Sequence, residues 1–116
     1  MRIYLAGPMR GIYRINFPAF AKAAAKLRAE GHVVISPAER DNIKYSADIS
    51  KGNTFGDEQQ AVHEHGFSLR EALGADLAWI CAEADGIAML PNWEDSKGAA
   101  AERSVAVALG LVVLYL

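Results

Sequence analysis

The alternation of short apolar runs with segments of helical periodicity constrains the fold of this chain more than any other feature. Apolar runs cover residues 3–6, 33–35, 86–90 and 111–115, and glycine or proline flanks each of them. Runs of this length between chain breakers are typical of buried β-strands. A chain whose buried strands are separated by helices folds into a mostly parallel sheet with helices on both faces.

Signals for the starts and ends of helices lie between these runs. The segment 16–31 opens with a possible asparagine cap and an early proline, and it closes with glycine. Ser68 and Glu71 form a capping box, and the segment 95–110 begins with residues that can cap a further helix. Segment 39–66 has no sustained periodicity, and we expect a long loop there. With right-handed crossovers the predicted strand order is 2-1-3-4, in a three-layer, flavodoxin-like (Rossmann-like) α/β fold whose mostly parallel sheet has four to five strands.

Chain length, charge and cysteine content narrow the class of protein. The length of 116 residues suits a single domain spanning 1–116, and the net charge of −2 disfavours nucleic-acid polymers and anionic membranes as partners. Cys81 is the single cysteine and the N-terminal apolar run is too short for a signal peptide, so we expect a cytoplasmic protein. We expect no metal, because His63 and His65 alone do not make a site, and no flavin cofactor, because the loop 7–13 lacks a Ser/Thr-rich phosphate motif.

The predicted strand order places two loops at one crevice. The first and third strands flank the point where the strand order reverses, so the loops 7–13 and 91–96 open on the same side of the sheet. The first loop is a glycine-flanked turn that carries Arg10 and could hold an anion. Ser96 and Gly98, at a helix start, could contact the same anion. Each of these signals is also compatible with an ordinary turn.

Two acidic residues are candidates for chemistry. Glu102 follows Gly98 and Ala99 by four and three positions on a predicted helix, which leaves room for a ligand beside its carboxylate. The same spacing suits a solvated glutamate paired with a basic neighbour. Asp76 lies at the edge of an apolar helix stripe, where a half-buried carboxylate has a raised pKa suited to proton transfer, although a helix-surface acid is the alternative. Trp93, near the crevice, could stack on a planar base.

Four motifs, taken in chain order, resemble the nucleoside 2-deoxyribosyltransferase superfamily. They are Ile3-Tyr4-Leu5-Ala6-Gly7-Pro8-Met9-Arg10-Gly11, Asp76-Leu77 with Trp79, Ala84-Asp85, and Ser96-Lys97-Gly98-Ala99-Ala100-Ala101-Glu102. Within that superfamily the chain is most similar to the small deoxyribosyltransferase-like branch of DUF4406 type. Its spacing is also similar to that of the 2'-deoxynucleoside 5'-monophosphate N-hydrolases.

The resemblance implies a covalent glycosidic mechanism. It makes Glu102 the nucleophile that attacks C1' of a deoxyribose, Asp76 the residue that assists proton transfer at the base, and Tyr4 the residue that places the nucleophile. Water as the second acceptor would give hydrolysis, and a second base would give transfer. The positions that match the phosphate contacts of the hydrolases are Gly7, Arg10, Ser96 and Gly98. The resemblance further implies a small nucleoside or nucleotide as partner and a homo-oligomer, dimer or larger. A non-catalytic nucleotide-binding module with the same pocket is the alternative.

Overall fold

The computed structural model describes residues 1–44, 51–54, 56–57 and 68–116. Its strands and α-helices follow in the order β1 (Arg2–Ala6), α1 (Phe17–Ala29), β2 (Val33–Ile35), α2 (Pro37–Lys44), α3 (Leu69–Glu83), β3 (Gly86–Met89), α4 (Lys97–Ala108) and β4 (Val112–Tyr115). The strands in these ranges form one sheet of four parallel strands in the order β2-β1-β3-β4. The predicted α/β class and the predicted strand order are therefore confirmed.

Strand β1 lies in the middle of the sheet and separates two apolar cores. Its residues alternate between the two faces, as the pleat of a strand requires: Ile3 and Leu5 pack on one side, and Tyr4 and Ala6 pack on the other. Helix α1 covers the first face, where Phe20 is fully buried. Helices α3 and α4 cover the second face and contribute the buried residues Ile80, Ala99 and Ala106 to it. Since β1 lies between the two helix layers, the loop that follows it lies at the carboxyl edge of the sheet with helices on both sides.

Two helix starts are capped as the sequence predicts. The Ser68 hydroxyl accepts a hydrogen bond from the Glu71 backbone N–H at 3.3 Å and so begins α3. The Ser96 hydroxyl accepts from the Ala99 N–H at 3.2 Å and begins α4, which settles the choice of cap in segment 95–110. A cap of this kind stabilises a helix by about 1 kcal/mol.

The turn between β1 and α1 has an unusual backbone. Arg14, Ile15 and Asn16 all lie in the left-handed region, with φ of 53°, 54° and 62°. Asn16 occupies the N-cap position of α1, but its side chain makes no cap; its amide donates to the Pro8 carbonyl at 2.8 Å. The Arg14 N–H donates to the Asn53 carbonyl at 2.8 Å, so a later segment of the chain supports the turn.

The expected loop over 39–66 is wrong at its start, because α2 extends to Lys44. Pro37 occupies the first turn of this helix, where its missing N–H is not needed, and the Ser36 carbonyl accepts from the Arg40 N–H at 3.1 Å. The short helix also buries Ala38 in the core. The rest of the predicted loop outside 51–54 and 56–57 lies beyond the described residues, as do His63 and His65. Among the residues that are described, no helix combines the length and apolar character that crossing a membrane requires.

Candidate active site

A cavity of about 710 Å³ opens at the carboxyl edge of the sheet. This volume falls within the range of small-molecule sites, roughly 300–1,000 Å³. Its described walls come from the loop after β1, from α3 and from the start of α4. The cavity brings together these predicted site residues: Tyr4, Gly7, Arg10, Asp76, Ser96, Gly98 and Glu102. These residues come from β1 and the loop after it, from α3, and from the segment after β3. They therefore meet where the strand order reverses, as predicted.

Glu102 is a buried acid in this cavity. Only 6% of the residue is exposed, which rules out the alternative of a solvated surface glutamate. The hydroxyl of the fully buried Tyr4 donates to Glu102 Oε2 at 2.6 Å. Burial raises the pKa of Glu102 to about 7, and the Tyr4 hydrogen bond and the positive charge of Arg40 partly oppose that rise. The carboxyl group therefore gains and loses its proton near neutral pH.

The helix face beside Glu102 carries little side-chain bulk. Apart from its chain neighbours and the backbone of its own helix, a Cβ added at Gly98 would have the Ser96 hydroxyl, at 4.0 Å, as its nearest described neighbour. Ala99 is buried and lines the same wall. The space in front of the first turn of α4 is therefore available to a ligand, as the i−4 and i−3 spacing predicted.

Asp76 is buried on α3, and its partner is a residue that the sequence did not single out. Asp76 is 7% exposed, so the alternative of a helix-surface acid is wrong. Its carboxylate forms a salt bridge with the guanidinium of Arg40, which α2 supplies. Arg40 is not among the predicted site residues, because the residues from 39 onward were expected to form a loop and not a helix. The signal that could have found it is Ser36-Pro37, a cap residue followed by a proline suited to a first helical turn.

The basic and hydroxyl groups gather at the mouth of the cavity. Arg10 is exposed there, and Lys97 lies at the start of α4. The Ser96 hydroxyl accepts a hydrogen bond from the helix backbone and still has a proton to donate. The start of α4 adds the partial positive charge of a helix N-terminus. Together these groups can hold a phosphate.

Gly7 has a structural reason to be glycine. A Cβ at this position would lie 2.6 Å from the Leu90 Cβ, which is closer than real atoms approach. The Leu90 N–H donates to the Ala6 carbonyl at 2.8 Å, so the ends of β1 and β3 are held side by side. Gly7 therefore allows the two loops of the crevice to start close together.

Trp93 lies apart from the cavity walls that the structure describes. Its ring contacts Arg103, whose guanidinium carbon is 4.9 Å from the ring centroid, and Tyr115, whose ring centroid is 6.2 Å away. The Arg103 guanidinium also donates to the Tyr115 hydroxyl at 2.9 Å. This group sits at the edge strand β4, so stacking of Trp93 on a base stays a prediction.

Asn53 is a further residue of the site that the sequence pattern does not predict. It is fully buried, and its side chain makes hydrogen bonds of 2.8 Å with both the N–H and the carbonyl of Asp57. This arrangement places Gly56 in the cavity wall, where the Gly56 carbonyl accepts from the Gly11 N–H at 3.0 Å. Asn53 and Gly56 belong to no periodic pattern, which is why sequence spacing did not identify them.

Among residues 1–44, 51–54, 56–57 and 68–116, no group of three or more His, Cys, Asp or Glu side chains is placed to hold an ion.

Comparison with known proteins identifies the family of the chain. Residues 1–115 match the family described as "Domain of unknown function (DUF4406)", and the chain belongs to it. The comparison with curated proteins gave no match, and neither did the comparison with solved structures.

Proposed function

For this member of the DUF4406 family, we propose cleavage of the N-glycosidic bond of 2'-deoxyribonucleosides or their 5'-monophosphates through a covalent deoxyribosyl-enzyme. The observation that carries the proposal is the pair Tyr4–Glu102. A buried carboxylate, held by a buried tyrosine hydroxyl at 2.6 Å, faces a cavity of ligand size that it shares with Asp76. A protein that only binds nucleotides has no need for such an acid beside the sugar.

The first step forms a bond between Glu102 and the sugar. One carboxylate oxygen attacks C1' of the deoxyribose, the bond from C1' to the base nitrogen breaks, and its electron pair leaves with the base. Tyr4 holds Oε2, which leaves the other oxygen to attack. Because attack needs the ionised carboxylate and the pKa of Glu102 is about 7, the acid works best at and above neutral pH.

The second step releases the sugar from the enzyme. Water attacks C1' of the glycosyl ester, gives up a proton and restores the Glu102 carboxylate, which completes hydrolysis. A second base that attacks the same carbon completes a transfer. Both routes use the carboxylate twice, as in retaining glycosidases.

The mouth of the cavity favours the 5'-monophosphates over free nucleosides. Arg10, Lys97 and the Ser96 hydroxyl stand around the start of α4, where a phosphate dianion would meet positive charge and N–H groups. The buried part of the cavity then receives the sugar, beside Glu102.

The test is a panel of deoxynucleosides and their 5'-monophosphates, in which free base is measured with and without an added acceptor base. We expect base release by the wild-type protein, and a loss of roughly 10³-fold or more in Glu102→Ala. Glu83→Ala, at an exposed acid near the end of α3, is the matched control and should stay active. Mass spectrometry of a quenched reaction should detect a deoxyribosyl adduct on Glu102. Binding of the panel without release of base by the wild type would contradict the proposal and favour a nucleotide-binding module.

A further inference from the structure

We propose that Arg40 is a positioning residue that holds the Asp76 carboxylate as an anion in the cavity wall, so that Asp76 accepts a hydrogen bond from an N–H group of the base. The inference rests on the proposed function and narrows it to bases that present an N–H donor. It also changes the role that the resemblance gave to Asp76, since an anion has no proton to give. The base anion released from C1' then takes its proton from water.

The position of Arg40 supports an indirect role. Asp76 lines the cavity from α3, whereas Arg40 reaches its carboxylate from α2 and is not among the described residues of the cavity wall. The side chain of Arg40 is 30% exposed and that of Asp76 is 10% exposed. The guanidinium therefore stands behind the carboxylate and orients it, and the carboxylate meets the ligand.

Because Asp76 is buried, its charge state depends on whether a positively charged partner contacts it. A carboxylate without a partner in a buried site becomes neutral, because desolvation penalises the charged form. An adjacent guanidinium reverses this preference, and its planar N–H groups match a carboxylate better than those of lysine. Arg40 from α2 and Tyr4 from β1 contact the two acids directly. The other charged residues that share the described cavity wall are Arg10 in the loop after β1, Asp95 just before α4 and Lys97 at its start.

The two acids of the cavity thus have different environments. Burial dominates the environment of Glu102 and raises its pKa to about 7, although the Tyr4 hydrogen bond and, more weakly, the charge of Arg40 oppose the rise. The Asp76 carboxylate contacts the fully charged guanidinium of Arg40. Pairs of carboxyl groups whose surroundings push them toward opposite charge states are typical of sites that divide two roles between two acids. The division here gives Glu102 the proton-dependent role and Asp76 the constant negative charge.

An anionic Asp76 selects substrates by their donors. A carboxylate is an acceptor without donors, so a base that offers it an N–H is bound, and one that offers a lone pair is repelled. A site built to pair with a polar group rejects an analogue that lacks the group. We therefore expect 2'-deoxyadenosine 5'-monophosphate or 2'-deoxycytidine 5'-monophosphate to react at least roughly 10²-fold faster than the analogue of the same nucleotide without its exocyclic amino group.

The experiment compares Arg40→Met and Arg40→Lys with the wild type. Carbon-13 NMR of labelled aspartate, assigned with Asp76→Asn, follows the charge of Asp76 against pH without any substrate. We expect Asp76 to stay ionised in the wild type at about pH 5, and to titrate about 1 to 3 pH units higher in Arg40→Met. Values of kcat/KM at pH 7 should fall at least roughly tenfold in Arg40→Met and recover in part in Arg40→Lys.

Arg28→Met is the matched control. Arg28 pairs with Glu39, the neighbour of Arg40 on α2, at 2.7 Å on the exposed side of the helix. Loss of this pair disturbs the same helix without touching Asp76, so the Asp76 titration and the pH profile should remain those of the wild type. If Arg40 had a purely structural role, Arg40→Met and Arg28→Met would behave alike in both measurements.

Two results overturn the inference. One is an Asp76 signal that titrates at the same pH in Arg40→Met and in the wild type. The other is a wild-type Asp76 that is already protonated at about pH 5, which needs no variant to observe. The proposed function fails separately, if the wild type releases no base from any member of the panel, and the substrate-free titration still decides the role of Arg40.

Discussion

Replacing Glu102 by glutamine should remove a pH-dependent loss of stability from this protein. The folded protein holds the Glu102 proton more tightly than the unfolded chain does, because burial raises the pKa from 4.5 to about 7. The folded state therefore binds more protons between these values, and stability that is present below about pH 4.5 is lost as the pH rises through about 7. The glutamine side chain stays neutral, keeps the shape of the acid and can still accept from Tyr4.

The size of the effect follows from the two pKa values. One unit corresponds to about 1.4 kcal/mol, so a change from 4.5 to about 7 corresponds to about 3 kcal/mol. Because Glu102 is only 6% exposed, solvent screening reduces this value little. We expect the free energy of unfolding of Glu102→Gln, minus that of the wild type, to be about 3 kcal/mol larger at pH 8 than at pH 4.5, so that the variant is relatively more stable at pH 8.

Urea unfolding at the two pH values measures this double difference. With an m-value of about 1–2 kcal/mol per M, the relative midpoint should move by roughly 2 M. The comparison between two pH values cancels any packing cost of the amide, which is the same at both. Glu83→Gln, at an exposed acid, is the control and should follow the wild type. A relative stability of Glu102→Gln that is equal at pH 4.5 and pH 8 would refute the argument that burial governs this acid.

Three further variants test the site around Glu102. Tyr4→Phe removes the 2.6 Å hydrogen bond that favours the ionised form of Glu102. The midpoint of the rising limb of kcat/KM against pH should therefore shift to a pH about one unit above the wild-type value near 7. An unchanged midpoint would contradict the contact. Ser96→Ala should cost about 1 kcal/mol of stability, and in calorimetry it should weaken the binding of 5'-monophosphates more than that of nucleosides. Ser68→Ala is the control, because it removes a helix cap outside the cavity. If both variants changed phosphate binding equally, the result would count against the phosphate site. Gly7→Ala should destabilise the fold by about 1–3 kcal/mol in thermal unfolding, because the new Cβ would lie 2.6 Å from the Cβ of Leu90, the residue after β3. An unchanged melting temperature would contradict that close approach.

The sheet was predictable because its information is local. Each strand is a short apolar run beside a glycine or proline, and right-handed crossovers leave few ways to order such strands. The capping serines of α3 and α4 are equally local, since the hydroxyl bonds a backbone N–H three residues later. The clearance before Glu102 follows from helical spacing alone.

The parts of the site that the sequence did not predict depend on contacts between distant segments. The Arg40–Asp76 pair joins α2 to α3, and no spacing rule connects two residues on separate helices. Trp93 was expected near a substrate base because its loop borders the crevice, but the loop alone does not show that Arg103 and Tyr115 come to its ring. Tertiary packing decides such cases.

The left-handed turn before α1 has a consequence for moving this site to another protein. Non-glycine residues resist positive φ by about 1 kcal/mol each, and Arg14 and Ile15 adopt it while Asn53 holds the Arg14 N–H. The shape of the cavity entrance is therefore specified in two places that lie far apart in the sequence. A scaffold that received only the β1–α1 loop would let that loop relax to ordinary backbone angles, and the entrance would lose its form. Transplantation requires the partner segment around Asn53 as well, so the two segments form one transferable unit.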